Sequence, residues 1–167
     1  QKTDTAPETQ PEMSMEEIDK QLALLEKQLQ QQKEAAEKTR IKSLNQISAH
    51  KYIAAQYIEK WVKQVERNGN LNIPEINGRK DFSGTLILEV NIMYDGSIYG
   101  DNPLIVKSSG ISALDEAAMQ VVKSMSPFTP LPKEITDELD VLSIKYEWNY
   151  FNEEATVSYN SETESTN

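Results

Sequence analysis

The placement of glycine and proline limits the folds open to this chain more than any other feature of its sequence. All six glycines lie between Gly69 and Gly110, and no proline occurs between Pro11 and Pro74. These two residue types are the strongest local interrupters of regular structure, so turns are confined to the second half of the chain. The sequence therefore predicts a long helix that precedes one compact domain.

The start of the long helix is marked by a capping box, in which Ser14 is followed three residues later by Glu17. Four apolar residues then fall at alternating spacings of four and three: Ile18, Leu22, Leu25 and Leu29. This seam is shorter than the three or four heptads that a coiled coil needs. Two interpretations remain open, a solvated helix with one apolar patch and a dimeric coil, and we expect a monomer or a weak dimer.

The composition divides the chain into four parts. We expect a disordered linker over residues 1–13, a helical stalk over 14–67, a folded domain over 68–151 and a disordered acidic tail over 152–167. The stalk should end at Asn68-Gly69-Asn70, because glycine and asparagine tolerate the left-handed conformation found at helix ends.

The sequence of the folded domain predicts its strands and its helix. Alternating apolar residues predict strands over Thr85–Tyr94 and Val141–Tyr150. Asp95-Gly96 predicts a two-residue type I′ turn into a return strand over Ser97–Ser108, which a bulge or small loop should interrupt before Pro103, because proline cannot donate to the ladder. A helical stripe predicts a helix over Ser112–Met125. The predicted class is α+β, a ββαβ domain with a three-stranded antiparallel sheet packed on one helix.

Enzymatic and metal chemistry find little support. The chain has no cysteine and a single histidine, His50, in the predicted stalk, and Ser109 has no histidine partner. Ser108-Ser109-Gly110 lacks the spacing of a phosphate-binding loop and is better explained as a turn. We expect no catalytic, cofactor or metal site. The net charge of −10 disfavours nucleic acid and anionic membranes as partners.

The predicted last strand is the most regular amphipathic strand of the chain. Leu142, Ile144, Tyr146, Trp148 and Tyr150 alternate with polar residues. A sheet of three strands cannot hide both edges, and this strand contains no proline or bulge that would blunt an edge. It either offers a docking edge to an extended peptide or merely closes the domain.

Several motifs resemble the C-terminal domain of the TonB family. The similarity covers about residues 52–151 and rests on the segments Trp61–Pro74, Ser83–Leu86, Tyr94–Ser97, Ser108–Gly110 and Ala113–Ala118, with Pro127-Phe128, Pro132 and Trp148. The family has a Tyr-Pro pair where this chain has Ile73-Pro74, and it usually has a proline-rich spacer where this chain has the predicted helix. The helical stalk is similar to TolA, a related envelope protein, which gives a TolA-like tether as the alternative function.

The resemblance implies an energy transducer of a Gram-negative cell envelope. Such proteins capture the TonB box, an extended segment of an outer-membrane transporter, by strand addition, and they work with ExbB and ExbD to drive uptake of iron chelates or vitamins. They lie in the periplasm and are anchored in the inner membrane, here by a segment upstream of Gln1. The implied partner-binding residues are Asn70, Leu71, Asn72, Val141, Leu142, Ser143, Ile144, Lys145, Tyr146, Glu147, Trp148, Asn149 and Tyr150.

Overall fold

The computed structural model describes residues 14–100 and 103–159. The chain folds as two compact units, residues 1–39 and residues 40–167. The predicted linker over residues 1–13 and the end of the predicted tail, residues 160–167, lie outside the described residues.

The first unit holds helix α1, Met15–Lys38. Its predicted start is confirmed, because the Ser14 hydroxyl oxygen accepts a hydrogen bond of 3.2 Å from the backbone N–H of Glu17. The four residues of the predicted seam are between 44% and 60% exposed: Ile18, Leu22, Leu25 and Leu29. Within this unit the seam is an apolar patch on a solvated helix.

The prediction of one continuous helix over residues 14–67 is wrong. After α1 the chain extends, forms a short strand and a 3-10 turn over Leu44–Gln46, and only then begins a second helix. The elements of the second unit are β1 (Ile41–Lys42), α2 (Lys51–Leu71), β2 (Ser83–Met93), β3 (Leu104–Lys107), α3 (Ser112–Met125), α4 (Lys133–Thr136), β4 (Val141–Phe151) and β5 (Glu154–Tyr159).

Arg40 explains why the helix does not continue. Its backbone N–H donates to a carboxylate oxygen of Asp140 at 2.8 Å, and its guanidinium group contacts the same carboxylate and the carbonyl oxygen of Asp137. These contacts hold the chain extended beside β4, where Leu44 and Ile47 are then buried. A helix across this segment would lose the contacts and expose both apolar side chains, which outweighs local helix propensity.

The five strands form one mixed sheet in the order β1-β4-β2-β3, with β5 also paired to β4. Strands β2 and β4 are antiparallel along their whole length, from Ser83 opposite Phe151 to Met93 opposite Val141. The α+β class is confirmed, but the sheet has two strands more than predicted. The additional strands, β1 and β5, are short elements in segments that were predicted as stalk and tail.

The first hairpin is also more irregular than predicted. The N–H of Gly96 donates to the carbonyl oxygen of Met93 at 2.9 Å, and Gly96 has a positive φ of 92°. This is a three-residue loop closed by a left-handed glycine, not the predicted two-residue turn. The regular part of the return strand is β3, and within the described residues before Pro103 the chain forms an isolated bridge between Ile92 and Ile98.

The core lies between one face of the sheet and the helices α2 and α3. The predicted alternation of β2 and β4 is confirmed, since their even-numbered apolar residues are buried. The sheet contributes Leu86, Leu88, Val90, Ile92, Leu142, Ile144, Tyr146, Trp148 and Tyr150, and the helices contribute Ala54, Ile58, Trp61, Val65, Leu114, Ala118, Val121 and Val122. The indole of Trp61 stands edge-on to Tyr146, with ring centroids 4.9 Å apart.

Candidate functional site at the outer edge of strand β4

The outer edge of β4 is the side of this strand that does not pair with β2. The sequence predicted that this edge is open, and this is wrong. β1 pairs with it in parallel at Val141 and Leu142, and β5 pairs with it antiparallel from Tyr146 to Phe151. β4 is therefore an internal strand of the sheet.

The side chains of the predicted binding strand divide between two faces. Those of Leu142, Ile144, Tyr146, Trp148 and Tyr150 are at most 1% exposed and belong to the core. They give β4 its fixed position and cannot contact a partner directly.

The remaining side chains of the strand lie on the opposite face. There the Ser143 hydroxyl donates to Glu89 at 3.0 Å, and the Asn149 side chain accepts a hydrogen bond from Thr85 at 2.8 Å. Glu147 is exposed on the same face, and Lys145 is half-buried. A partner strand at the outer edge would therefore be recognised mainly through the β4 backbone.

The strand β5 covers the edge because the chain reverses in two residues. Asn152 and Glu153 both have positive φ, 50° and 68°, as both central residues of a type I′ turn require. The prediction of a disordered tail over residues 152–167 is therefore wrong for residues 154–159. The alternation of Ala155, Val157 and Tyr159 was a signal for this strand, but the acidic, Ser/Thr-rich composition concealed it.

Three of the six side chains of β5 pack on the domain. Ala155 and Val157 are buried and Tyr159 is half-buried against the core, whereas Glu154, Thr156 and Ser158 are exposed. Burial of the alanine and valine side chains stabilises this attachment by a free energy on the order of 2–3 kcal/mol. β5 is thus held by these side chains together with its backbone pairing to β4.

Two side chains of α2 bind the other side of β5. The carboxamide of Asn70 donates to the carbonyl oxygen of Ala155 at 2.8 Å and accepts from the N–H of the same residue at 2.9 Å. A carboxylate oxygen of Glu66 accepts from the N–H of Val157 at 2.9 Å. Both side chains take the place that a further strand would occupy. Sequence reasoning missed Glu66, which no pattern around it distinguishes.

Gly69 brings α2 close enough for these contacts. It lies inside the helix, which continues to Leu71 beyond the predicted end at Arg67. A Cβ atom at Gly69 would lie 2.7 Å from the Trp148 ring and 3.6 Å from the Cβ of Ala155. The absence of a side chain there lets the helix approach both strands.

The three predicted contact residues at the end of α2 do not act together. Asn70 reaches β5, as described above. The Leu71 side chain is 76% exposed, and the Asn72 amide donates to the carbonyl oxygen of Asn68 within the helix. The structure therefore brings Asn70 to the edge of the sheet and leaves Leu71 and Asn72 on the surface beyond it.

The Ser108-Ser109-Gly110 segment forms a turn that is bound to the start of α3. The carboxylate of Asp115 accepts hydrogen bonds from both serine hydroxyls and from the backbone N–H of Ser109. Burial raises the pKa of Asp115, but these hydrogen bonds outweigh it and place the net pKa below its usual value. Within the turn, the Gly110 N–H donates to the Ser108 hydroxyl oxygen, so these groups are engaged in positioning the helix.

One comparison with known proteins gave a match, and it agrees with the fold. A family model described as the C-terminal domain of the Gram-negative bacterial TonB protein matches residues 70–150. Residues 70–150 are a TonB C-terminal domain. The resemblance found in the sequence is confirmed over this range. Comparison with curated proteins and with solved structures gave no match.

TonB C-terminal domains are periplasmic domains of Gram-negative bacteria and interact with outer-membrane TonB-dependent transporters. The match does not favour the TolA-like alternative. It begins at Asn70 and ends at Tyr150, so it includes β2, β3, α3 and β4 but not β5. No helix in the described part of the chain is long and apolar enough to span a bilayer.

Proposed function

We propose that this TonB C-terminal domain is a non-enzymatic transducer that binds the TonB box of an outer-membrane transporter. The box pairs with the outer edge of β4 in the position that β5 now occupies. The domain then passes on force that ExbB and ExbD derive from the proton-motive force, through a membrane segment upstream of Gln1. The transporter responds by admitting an iron chelate or a vitamin.

The observation that carries this proposal is the unequal pairing of β4. On one side β4 pairs with β2 over all of its eleven residues. On the other side it is covered by two residues of β1 and by the six-residue β5, which buries Ala155 and Val157 but leaves three of its side chains exposed. An extended peptide that replaces β5 can regain its backbone hydrogen bonds to β4 and must also fill the space that Ala155 and Val157 leave in the core.

The strand β3 forms the other end of the sheet but is less suited to this role. It has four residues, its register with β2 is irregular, and Pro103 before it has no N–H to donate. A peptide paired with β3 would gain a short ladder only. We therefore assign the TonB box to β4.

The experiment is a titration of the isotope-labelled chain with TonB-box peptides from transporters of the source organism. Peptide binding should shift the backbone amide signals of Glu147 and Asn149 in β4 and of Thr156 and Ser158 in β5. A peptide with proline at its central positions is the control and should cause no shifts, since proline cannot donate to the ladder. Shifts confined to β3 or α3 would refute the assignment.

A further inference from the structure

The strand β5 lies in a slot with two walls. One wall is the outer edge of β4, and the other is the last part of α2, formed by Glu66, Gly69 and Asn70. We call this space the β5 slot. A simple sheet edge would hold an added strand from one side, whereas this slot also contacts the strand from the side that faces away from the sheet.

The wall formed by α2 recognises backbone groups. Asn70 binds both the N–H and the C=O of Ala155, and Glu66 binds the N–H of Val157. Alternate residues of a strand turn their backbone groups to opposite sides. Ala155 and Val157 therefore face α2, while Thr156 and Ser158 face β4. Any strand in the slot needs an N–H at the two positions that face α2, which excludes proline there.

The slot also limits side chains at these two positions. Ala155 is fully buried, and a Cβ at Gly69 would lie 3.6 Å from its Cβ, so a larger residue would meet α2. Val157 is 5% exposed and lies in the core cluster, so an aliphatic residue fits there. Thr156, between them, is exposed and sets no such limit.

We propose that the β5 slot selects the transporter segment by a small residue followed two positions later by an aliphatic residue, with Asn70 and Glu66 as specificity-determining residues. This inference rests on the proposed function, since it assumes that the segment replaces β5. β5 meets the same requirements and is the resident occupant of the slot. Asn70 and Glu66 then hold the bound transporter segment on the side that β4 cannot reach.

The test uses the full chain with β5 displaced by a Thr156→Pro substitution, and a synthetic peptide with the sequence of residues 151–159. The Thr156 side chain is exposed and its N–H faces β4, so the substitution weakens the pairing of β5 without replacing a core residue. Ser158→Pro acts in the same way and is the second variant. The peptide should bind and restore protection of the Glu147 and Asn149 amides from hydrogen exchange.

Peptide variants test the side-chain limits. A peptide with leucine at the position of Ala155 should bind about tenfold more weakly, because overpacking a tight site is unfavourable. A peptide with leucine at the position of Thr156 is the matched control and should bind as well as the original. Equal binding of the two leucine peptides would overturn the proposal.

Chain variants test the α2 wall. Asn70→Ala in the Thr156→Pro background should weaken peptide binding about tenfold, as expected for two lost hydrogen bonds. Asn68→Ala is the control, because Asn68 and Asn70 each donate to a carbonyl oxygen one helical turn earlier, whereas the hydrogen bonds to Ala155 of β5 come from Asn70. Glu66→Ala should also weaken binding, and the exposed Glu59→Ala should not. Equal affinities of the Asn70 and Asn68 variants would refute the role of the wall.

If neither proline variant folds, hydrogen exchange in a chain without a proline substitution still tests the proposal. In the otherwise unaltered chain, Asn70→Ala should speed hydrogen exchange of the Ala155 amide relative to Asn68→Ala, and an unchanged rate would overturn the proposal. No transporter peptide enters these experiments. If the domain binds the β5 peptide as expected but binds no TonB box, the slot is established and the proposed function is refuted. If the domain binds a TonB box but the β5 peptide does not bind as expected, the proposed function stands and the selection by the slot is refuted.

Discussion

Gly69 and Trp148 are in direct contact at the point where α2 crosses the sheet. A Cβ atom on Gly69 would lie 2.7 Å from Cζ2 and 3.2 Å from Cη2 of the fully buried indole. The indole cannot move away easily, because it packs in the core beside Tyr150 with ring centroids 5.9 Å apart. The position thus requires glycine although it lies within a helix.

Gly69→Ala should therefore destabilise the protein. In a helix interior alanine is favoured over glycine by about 1 kcal/mol, so a site without steric conflict would gain stability. Here the overpacking of Trp148, about 1–3 kcal/mol, should outweigh that gain. Urea unfolding followed by tryptophan fluorescence measures the difference.

The control for this prediction is Arg67→Ala, an exposed substitution in the same helix, which should change the free energy of unfolding by less than about 0.5 kcal/mol. A Gly69→Ala variant more stable than the original would show that α2 and the sheet separate readily.

The contact also shows where sequence reasoning reached its limit. The alternation in Val141–Tyr150 identified the buried face of β4, because burial of one face of a strand leaves a period of two in the sequence. The same pattern carries no information on what lies beside the strand. Gly69 was interpreted as a helix end, because the sequence does not distinguish a glycine that ends a helix from one that allows close packing.

The covering of the β4 edge depends on features that are weak or absent in the sequence pattern. β5 follows from a turn in which Glu153 adopts a left-handed conformation, and glutamate is not a typical residue for it. β1 follows from hydrogen bonds between Arg40 and Asp140, which are 100 residues apart in the chain. Neither segment has a strong local preference for a strand that would outweigh its polar composition.

The Tyr146 hydroxyl makes Tyr146→Phe an informative substitution. The hydroxyl is buried and finds no hydrogen-bond partner within the described part of the chain, and burial raises its pKa. A buried hydroxyl without a partner costs about 1–3 kcal/mol. Phenylalanine removes that cost and keeps the ring contact with Trp61, so the variant should be as stable as the original or more stable.

Thermal unfolding measures this difference, and Tyr57→Phe is the comparison. The Tyr57 hydroxyl donates to the carbonyl oxygen of Thr129, so its removal should lower stability. If Tyr146→Phe lost as much stability as Tyr57→Phe, the Tyr146 hydroxyl would have to bind a buried water molecule.

The apolar patch of α1 predicts a monomer. The seam ends where Gln32 takes the next position after Leu29, and fewer than three sustained heptads rarely hold a coiled coil together. Sedimentation equilibrium of the full chain at micromolar concentration should give the monomer mass. Leu25→Glu should leave that mass unchanged. A dimer that this substitution dissociates would contradict the prediction and identify the patch as its interface.

The lowered pKa of Asp115 predicts how the stability of the protein depends on pH. Its pKa is lower in the folded protein than its value of about 3.9 in an unfolded chain. A carboxyl group shifted in this direction contributes stability above its unfolded pKa, and the contribution is lost as the pH falls through the folded pKa. Asp115→Asn should therefore cost about 1–3 kcal/mol at neutral pH, since the serine hydroxyls lose a charged acceptor.

The difference in unfolding free energy between the original chain and Asp115→Asn should then shrink as the pH is lowered below about 4, which urea titrations at several pH values measure. Other carboxylates contribute to the overall acid sensitivity, but they are common to both proteins and cancel in the difference. Glu116→Gln, an exposed neighbour on α3, should show a small difference that does not change with pH. A difference for Asp115→Asn that stayed constant down to acid pH would mean that the Ser108-Ser109 turn is held by geometry and not by the charge of the carboxylate.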